Sequence, residues 1–301
     1  MKHLTLILLI SFASCNLVEW NQKRLTKKYD RKGIAEKWFE NEDHKIHYWQ
    51  GGIGDTILII QGFGGDAQVG WDATIRDLVK DYHVIAPDLL WFGQSTSKRD
   101  ANLTSQVDAV NDLLTEIGVK KAHFVGLSYG GFVLTGMLYK YQDMIDKFCI
   151  VDSPGITYDI SLLDDLCERA KVKSVDELFV PKNEEELQRL FDIGRHNSKK
   201  VPKGILTDVY QLYFSKNHKE LTSLMKTLPL EQEKFNKIKL ESLPETCVIW
   251  GEHDAVFPIS EGKKLAEFMK AKFVEISDAG HTPNTDNFKV FQEALRAFLK
   301  Q

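Results

Sequence analysis

The hydrophobic positions of the chain form short runs that alternate with longer amphipathic stretches. Short, nearly all-apolar runs occur at residues 56–60, 83–86, 122–125, 148–151, 247–250 and 273–276, each followed within two residues by Gly, Pro, Asp or Ser. Such runs are typical of strands that are buried on both faces of a sheet. Apolar residues recur at helical spacing in the stretches 71–81, 105–117, 130–141, 259–270 and 286–300. This alternation predicts an α/β fold with a mostly parallel central sheet flanked by helices.

Two parts of the chain depart from this alternation. Residues 38–40 and 45–49 predict a hairpin ahead of the first buried strand. Residues 156–243 contain no comparable strand run and carry Leu and Phe at helical spacing, which predicts a helical cap inserted after the sixth strand. We therefore expect a core made of residues 33–155 and 244–301, with the cap between its two parts.

Composition narrows the class of protein. The 301 residues are 43% hydrophobic and 27% charged, which suits a large globular core and not a disordered chain. The net charge of −4 argues against a nucleic-acid partner, which would require a concentrated basic surface. The four cysteines are too few for a disulfide scaffold and lack the spacing of a zinc site. We expect no metal and no organic cofactor.

The N-terminus has the features of an export signal. An apolar run from Leu4 to Ile10 has the length of a signal-peptide core and is about half of what spans a bilayer. The sequence Ala13-Ser14-Cys15 resembles the lipobox of bacterial lipoproteins, although Phe12 replaces its usual Leu. We expect residues 1–14 to be a lipoprotein-type signal and Cys15 to be lipidated. A plain secretory signal or a buried N-terminal strand are the alternatives.

Residues 15–32 are then expected to form a basic tether. Its cations can lie on anionic lipid headgroups or can simply be solvated. The expected location is the bacterial cell envelope, as a lipid-anchored membrane protein, with a secreted or periplasmic protein as the alternative.

The segment Gly126-Leu127-Ser128-Tyr129-Gly130 lies between a predicted buried strand and a predicted helix. In this context Gly-x-Ser-x-Gly predicts a tight turn that places a nucleophilic serine in strained backbone geometry. Ser128 is the candidate nucleophile.

A serine nucleophile needs a base, and the base needs an acid that orients it. Asp254 follows the predicted strand 247–250, and His281 follows the strand 273–276. The carboxyl ends of parallel strands meet at one edge of the sheet, so these two residues are expected to complete a triad with Ser128. Asp152, after the strand 148–151, is a second place from which an acid can reach the histidine.

The third requirement is a pair of donors for the oxyanion. Residues 61–65 form a glycine-rich turn after the strand 56–60. We expect the backbone N–H groups of Phe63 and Tyr129 to form the oxyanion hole.

Taken together, these motifs resemble the α/β-hydrolases, and within them the bacterial family V lipases and the related monoacylglycerol lipases. The resemblance covers about residues 45–300 and is carried by residues 61–66, 86–89, 92–95, 126–131, 152–156, 248–254 and 279–281, and by 178–181 and 184–190 in the cap. Three positions depart from the family pattern: Gln61 replaces His, Trp91 replaces Gly, and Tyr129 replaces Met. Gln61 can brace the oxyanion loop differently, and Trp91 can narrow or reline the pocket.

The resemblance implies a serine ester hydrolase that acts on a small-molecule acyl ester, such as a monoacylglycerol, through an acyl-enzyme. Ser128 argues against dehalogenases and epoxide hydrolases of this fold, which use Asp as the nucleophile. The alternatives are a C–C bond hydrolase or a perhydrolase with the same triad, and a non-catalytic binding protein on the same fold. Aromatic cap residues are expected mainly to pack the cap, and some of them to line an acyl pocket: Phe179, Phe191, Tyr210, Tyr213, Phe214 and Phe235.

Overall fold

The computed structural model describes residues 17–240 and 242–300. In this part of the chain the strands are β1 (Ala35–Glu40), β2 (His44–Gly51), β3 (Thr56–Ile60), β4 (His83–Pro87), β5 (Thr96–Ser97), β6 (Ala122–Leu127), β7 (Ile145–Val151), β8 (Glu245–Gly251) and β9 (Lys272–Ile276).

The α-helices of the described residues are α1 (Leu17–Asp30), α2 (Ala67–Leu78), α3 (Leu103–Glu116), α4 (Tyr129–Lys140), α5 (Ser161–Ala170), α6 (Val175–Phe179), α7 (Glu184–Gly194), α8 (Lys203–Tyr213), α9 (His218–Asn236), α10 (Ile259–Met269), α11 (Pro283–Asp286) and α12 (Phe288–Leu299). None of them combines the length and the apolar character that crossing a bilayer requires.

All nine described strands belong to one sheet, in the order β1-β2-β4-β3-β6-β7-β8-β9, with β5 paired to β2. The pairs from β4 to β9 are parallel, whereas β1, β4 and β5 each run antiparallel to β2. The predicted mostly parallel sheet with a preceding hairpin is confirmed. The two-residue strand β5 is an addition that the hydrophobic pattern did not indicate, so the predicted sixth strand is β7 in the structure.

Side chains of the central strands alternate between two hydrophobic cores. In β3, Leu58 and Ile60 enter the core beneath α3 and α4, while Ile57 and Ile59 enter the core beneath α2 and α12. All four are fully buried. Both faces of the strand are therefore covered, which is why it reads as a continuous apolar run.

Helices α5 to α9 follow β7 and precede β8, and α9 packs against α3 and α4 of the core. Side-chain bonds fix α9 to the core: Glu231 accepts hydrogen bonds from the Thr104 backbone N–H at 3.3 Å and from its hydroxyl at 2.5 Å, and the Ser223 hydroxyl donates to the Ala101 carbonyl at 2.8 Å. The other edge of this helical layer is held at Asn217, whose amide donates to the Trp91 carbonyl at 2.7 Å.

Part of the predicted tether is a helix. Helix α1 buries Leu25 and Tyr29 against the core, and the Tyr29 ring packs edge-on against Trp49 with centroids 4.9 Å apart. Residues 17–30 of the predicted tether are therefore a helix that packs on the core. Only two residues of the helix are buried, so its apolar residues show a weak helical periodicity. The lysines and arginines between them make this periodicity harder to detect. The predicted signal and Cys15 lie outside the described residues.

Candidate active site

The turn between β6 and α4 holds Ser128 in unusual backbone geometry. Its φ is 51° and its ψ is −117°, a region that non-glycine residues rarely adopt. Gly126 and Gly130 allow the turn, since a Cβ on Gly126 would lie 2.8 Å from the Gly130 carbonyl oxygen. The turn therefore has the strand-to-helix context that gives Gly-x-Ser-x-Gly its significance.

His281 connects Ser128 to Asp254. Its Nε2 lies 2.7 Å from the Ser128 Oγ, and its Nδ1 lies 2.8 Å from Asp254 Oδ2. When Nδ1–H donates to the carboxylate, Nε2 is free to accept the serine proton. All three residues are buried. The structure thus brings the three predicted residues into one hydrogen-bonded chain.

The loops that carry Asp254 and His281 are pressed together. A Cβ on Gly251, at the end of β8, would lie only 2.0 Å from the Gly280 carbonyl oxygen. The remaining oxygen of Asp254 accepts bonds from the backbone N–H groups of Val256 at 2.7 Å and Phe257 at 3.1 Å. The orientation of the carboxylate is thus fixed by its own loop.

The alternative acid, Asp152, is close by but does not bond to the histidine. It accepts a hydrogen bond from the Gly251 N–H at 2.8 Å and is fully buried. Burial and then the charge of Asp254 raise its pKa well above the ordinary value for Asp. In the structure the carboxylate that bonds to His281 is that of Asp254.

Both predicted oxyanion donors lie beside the nucleophile. Tyr129 begins α4, so its N–H has no acceptor within the helix. Neither this N–H nor that of Phe63 donates to another group among the described residues. Gly62 brings the loop close, because a Cβ there would lie 3.3 Å from the Ser128 Cβ. Gln61 braces the loop weakly, by donating to the Gly65 carbonyl at 3.5 Å.

A small apolar cavity of about 20 Å³ adjoins the Ser128 side chain. It is lined by Phe63, Ser128, Tyr129, Phe132, Leu163, Val175, Phe179, Met225, Leu228 and Phe257. This volume holds about one water molecule. The cap helices supply half of this lining, and a cavity of this size does not hold an acyl chain.

The structure shows where two of the residues that differ from the family pattern lie. Tyr129 lines the cavity, and burial raises the pKa of its phenol far above the usual range. Trp91 lines a different cleft and is not among the residues around Ser128, so it does not narrow this cavity. Of the predicted cap aromatics, Phe179 is the one that lines it.

The sequence reasoning missed a polar junction next to the oxyanion loop. Asp66, directly after that loop, caps α2 and accepts hydrogen bonds from the Tyr213 hydroxyl of the cap at 2.8 Å and the Gln22 amide of α1 at 3.3 Å. Burial, reinforced by the charge of Asp88, raises the pKa of Asp66 to about 6. An Asp before a predicted helix signals a cap, but nothing local indicates bonds to residues 44 and 147 positions away.

Comparisons with known proteins identify the fold family of the chain. The family model for the alpha/beta hydrolase fold matches residues 55–288. Lipase 1 of Psychrobacter immobilis is 25% identical over 85% of this chain and 82% of its own length. The 2-hydroxymuconate semialdehyde hydrolase of Pseudomonas sp. (strain CF600) is 25% identical over 83% of this chain and 88% of its own length.

A solved structure of a lipase-like protein from Acinetobacter baumannii AYE superposes with a TM-score of 0.78 at 22% identity, over 92% of this chain and 95% of that one. This similarity supports the fold, and the two sequence relatives described above are hydrolases. The chain therefore belongs to the α/β-hydrolase fold family, and it is a hydrolase.

Proposed function

We propose that this protein is a carboxylic ester hydrolase that works through an acyl-enzyme on Ser128. The observation that carries the proposal is the continuous chain of hydrogen bonds from Ser128 through His281 to Asp254, beside an apolar cavity. A serine in this arrangement is an activated nucleophile for acyl groups.

The reaction follows from these positions. Ser128 Oγ attacks the ester carbonyl carbon while His281 Nε2 takes the hydroxyl proton. The oxyanion accepts hydrogen bonds from the backbone N–H groups of Phe63 and Tyr129. When the tetrahedral intermediate collapses, the C–O bond to the alcohol breaks and His281 returns the proton to the departing oxygen. A water molecule, deprotonated by His281, then cleaves the acyl-enzyme and releases the carboxylic acid.

The cavity favours an apolar acyl group. Among the described residues that line it, none carries a charged side chain, and the polar groups are the hydroxyls of Ser128 and Tyr129. Similarity to Lipase 1 agrees with a fatty acyl ester, such as a monoacylglycerol.

A C–C bond hydrolase is the second candidate, because the 2-hydroxymuconate semialdehyde hydrolase is as similar to this chain as Lipase 1 is. A muconate-type substrate carries a carboxylate, which binds best where a cationic side chain is present. The uncharged lining at Ser128 therefore favours the ester.

Activity-based labelling tests the proposal. A fluorophosphonate probe should label the wild-type protein and leave Ser128→Ala unlabelled. The labelled protein should also hydrolyse p-nitrophenyl esters, compared from acetate to palmitate. Absence of labelling in the folded wild type contradicts the ester hydrolase, and labelling without hydrolysis of any ester favours the C–C hydrolase.

We further propose that the enzyme works at an anionic membrane surface, anchored through Cys15. Helix α1 supports this. Leu17 and Trp20 at its start are exposed by 53% and 60%, and Arg24 lies over the Trp20 ring at 5.6 Å. Lys27 is three residues further along, so at spacings of three or four these residues share one face. The face combines apolar side chains and cations, as in helices that lie on anionic headgroups.

Two experiments test the membrane proposal. Cys15→Ser should release the protein from the membrane fraction of expressing cells, and unchanged retention contradicts lipidation. In vesicle co-sedimentation, the full chain should prefer phosphatidylglycerol-containing vesicles to pure phosphatidylcholine. Arg31 directly follows α1, four residues after Lys27, and is also exposed. The triple change Arg24→Glu, Lys27→Glu and Arg31→Glu should abolish this preference.

The matched control carries the same change in charge at exposed lysines elsewhere: Lys120→Glu, Lys289→Glu and Lys300→Glu. Its preference for anionic vesicles should remain close to that of the wild type. An equal loss in both triple variants would mean that overall charge, and not the α1 face, directs the binding.

A further inference from the structure

A second buried carboxyl group lies behind the proposed triad. Asp152 follows the last residue of β7 with a φ of 44°, and its backbone N–H donates to the Ile249 carbonyl at 3.1 Å. One carboxyl oxygen, Oδ1, accepts the Gly251 N–H at 2.8 Å. The side chain has no exposure to solvent. The residue is thus held rigidly between β7 and β8.

The other oxygen, Oδ2, finds no donor among the described residues. Its neighbours are the proposed catalytic groups: Asp152, Asp254 and His281 each place a polar atom within 4.8 Å of the other two. An ionised Asp152 would leave Oδ2 unsatisfied and would repel the carboxylate of Asp254 at short range. Both penalties disappear when Oδ2 carries a proton, because the O–H group then donates to Asp254.

Asp254 has room for this bond. Its Oδ1 accepts two backbone N–H groups and its Oδ2 accepts His281 Nδ1–H. A carboxylate offers about four acceptor positions, so one remains. The charged group that faces Asp152 from the neighbouring helix α11 is Asp286, which adds a further negative charge and also favours the neutral form.

We propose that Asp152 is a positioning residue: a neutral carboxylic acid that donates a hydrogen bond to Asp254 and holds that carboxylate towards His281. The proposal rests on the proposed function of the triad. Asp152 exchanges no proton during turnover. Its bond occupies an acceptor position of Asp254 and holds the carboxylate towards Nδ1–H, so that Asp254 stabilises the imidazolium that forms during acyl transfer.

The arrangement also limits the local charge. With Asp152 neutral, His281 faces one carboxylate through Asp254. An ionised Asp152 would place a second negative charge within 4.8 Å of the imidazole, beside the charge of Asp254.

Two substitutions test whether residue 152 acts as a hydrogen-bond donor or as a negative charge. Asp152→Asn keeps a neutral side chain with an acceptor for Gly251 and an N–H donor for Asp254. Asp152→Ala removes both. We expect kcat for a p-nitrophenyl ester to stay within about threefold of wild type in the Asn variant and to fall about ten- to hundredfold in the Ala variant, with KM nearly unchanged. The acidic limb of the pH profile should be retained in Asn and displaced in Ala.

An Asn variant as impaired as the Ala variant, while equally folded by urea unfolding, would overturn the proposal, because a charged carboxylate would then be required. An Ala variant with wild-type kcat and pH profile would also overturn it.

An infrared measurement keeps the test independent of folding of the Ala variant. The difference spectrum of wild type minus Asp152→Asn at neutral pH should contain the C=O stretch of a protonated carboxylic acid, and a spectrum showing only carboxylate bands overturns the proposal. This readout does not require catalysis. Failure of the proposed function is recognised separately, by absent fluorophosphonate labelling of Ser128.

Discussion

The buried Asp66 links helix α1, the cap and the oxyanion loop, and its replacement by Asn should change how stability depends on pH. In the folded protein its pKa is raised to about 6 from 3.8, first by burial and then by the charge of Asp88. Its partners are neutral donors: the Val69 N–H, the Tyr213 hydroxyl and the Gln22 amide. None of them fully offsets the cost of a buried charge.

The direction and size of this pH dependence follow from the difference in proton binding between the folded and unfolded states. Because the folded pKa is the higher one, the folded state binds more protons than the unfolded state between pH 3.8 and about 6. The contribution of this group to stability is complete below pH 3.8 and is lost as the pH rises through about 6. A difference of about two pH units corresponds to about 3 kcal/mol. Asp66→Asn cannot titrate, so its free energy of unfolding should gain about 2 to 3 kcal/mol relative to wild type between pH 4 and pH 7.5.

Urea unfolding of both proteins at a series of pH values measures this difference. Any constant penalty for turning an amide towards Tyr213 cancels, because only the change with pH is compared. Asp77→Asn is the control. Although burial opposes it, hydrogen bonds from Lys80 and Arg296 lower the pKa of Asp77, so its effect on stability should be constant over this range. Parallel pH curves for wild type and Asp66→Asn would refute the reasoning.

Three further predictions concern the junction, the cavity and the loops. Tyr213→Phe removes a hydrogen-bond donor to Asp66 and should lower the free energy of unfolding by about 1 to 3 kcal/mol at pH 8. The loss should be smaller at pH 5, where Asp66 is protonated. An equal loss at both pH values would contradict this. Met225→Ala should shift the preferred p-nitrophenyl ester to a longer chain, whereas Leu221→Ala, on the same helix but outside the cavity lining, should leave the profile unchanged. Gly251→Ala should destabilise the protein by about 3 kcal/mol or more and abolish fluorophosphonate labelling of Ser128. In the control, Gly194→Ala, the added Cβ meets nothing within 4 Å, so this variant should unfold at the same urea concentration as the wild type.

The sequence was most informative where function depends on residues adjacent in the chain. The elbow at Ser128 requires a strand, a strained residue and a helix in succession, and all three leave local signals. The edge of the parallel sheet that carries Asp254 and His281 follows from the strand pattern alone. Which carboxyl group faces the imidazole depends on side-chain directions at the ends of two strands. The sequence alone therefore did not exclude Asp152 as the acid that bonds to His281.

Contacts between distant segments left no such signal. Helix α1 docks through Leu25 and Tyr29, too few apolar residues to mark a period among so many cations. The orientation of Trp91 was equally inaccessible: its φ of 66° turns it into the cleft beside α1, away from Ser128. Residues of this kind are placed by tertiary packing, which one sequence does not specify locally.

The strand order of the sheet has a consequence for newly made protein. From β6 to β9 the strands are added side by side in chain order, and the triad members follow β6, β8 and β9 in turn. While residues beyond 243 are still in the ribosome, β7 is an open edge and Ser128 has neither a base nor an orienting acid. Under the proposed mechanism, Ser128 gains its base and its orienting acid only when the last fifth of the chain has joined the sheet, so unfinished chains would not attack acyl esters at the place of synthesis.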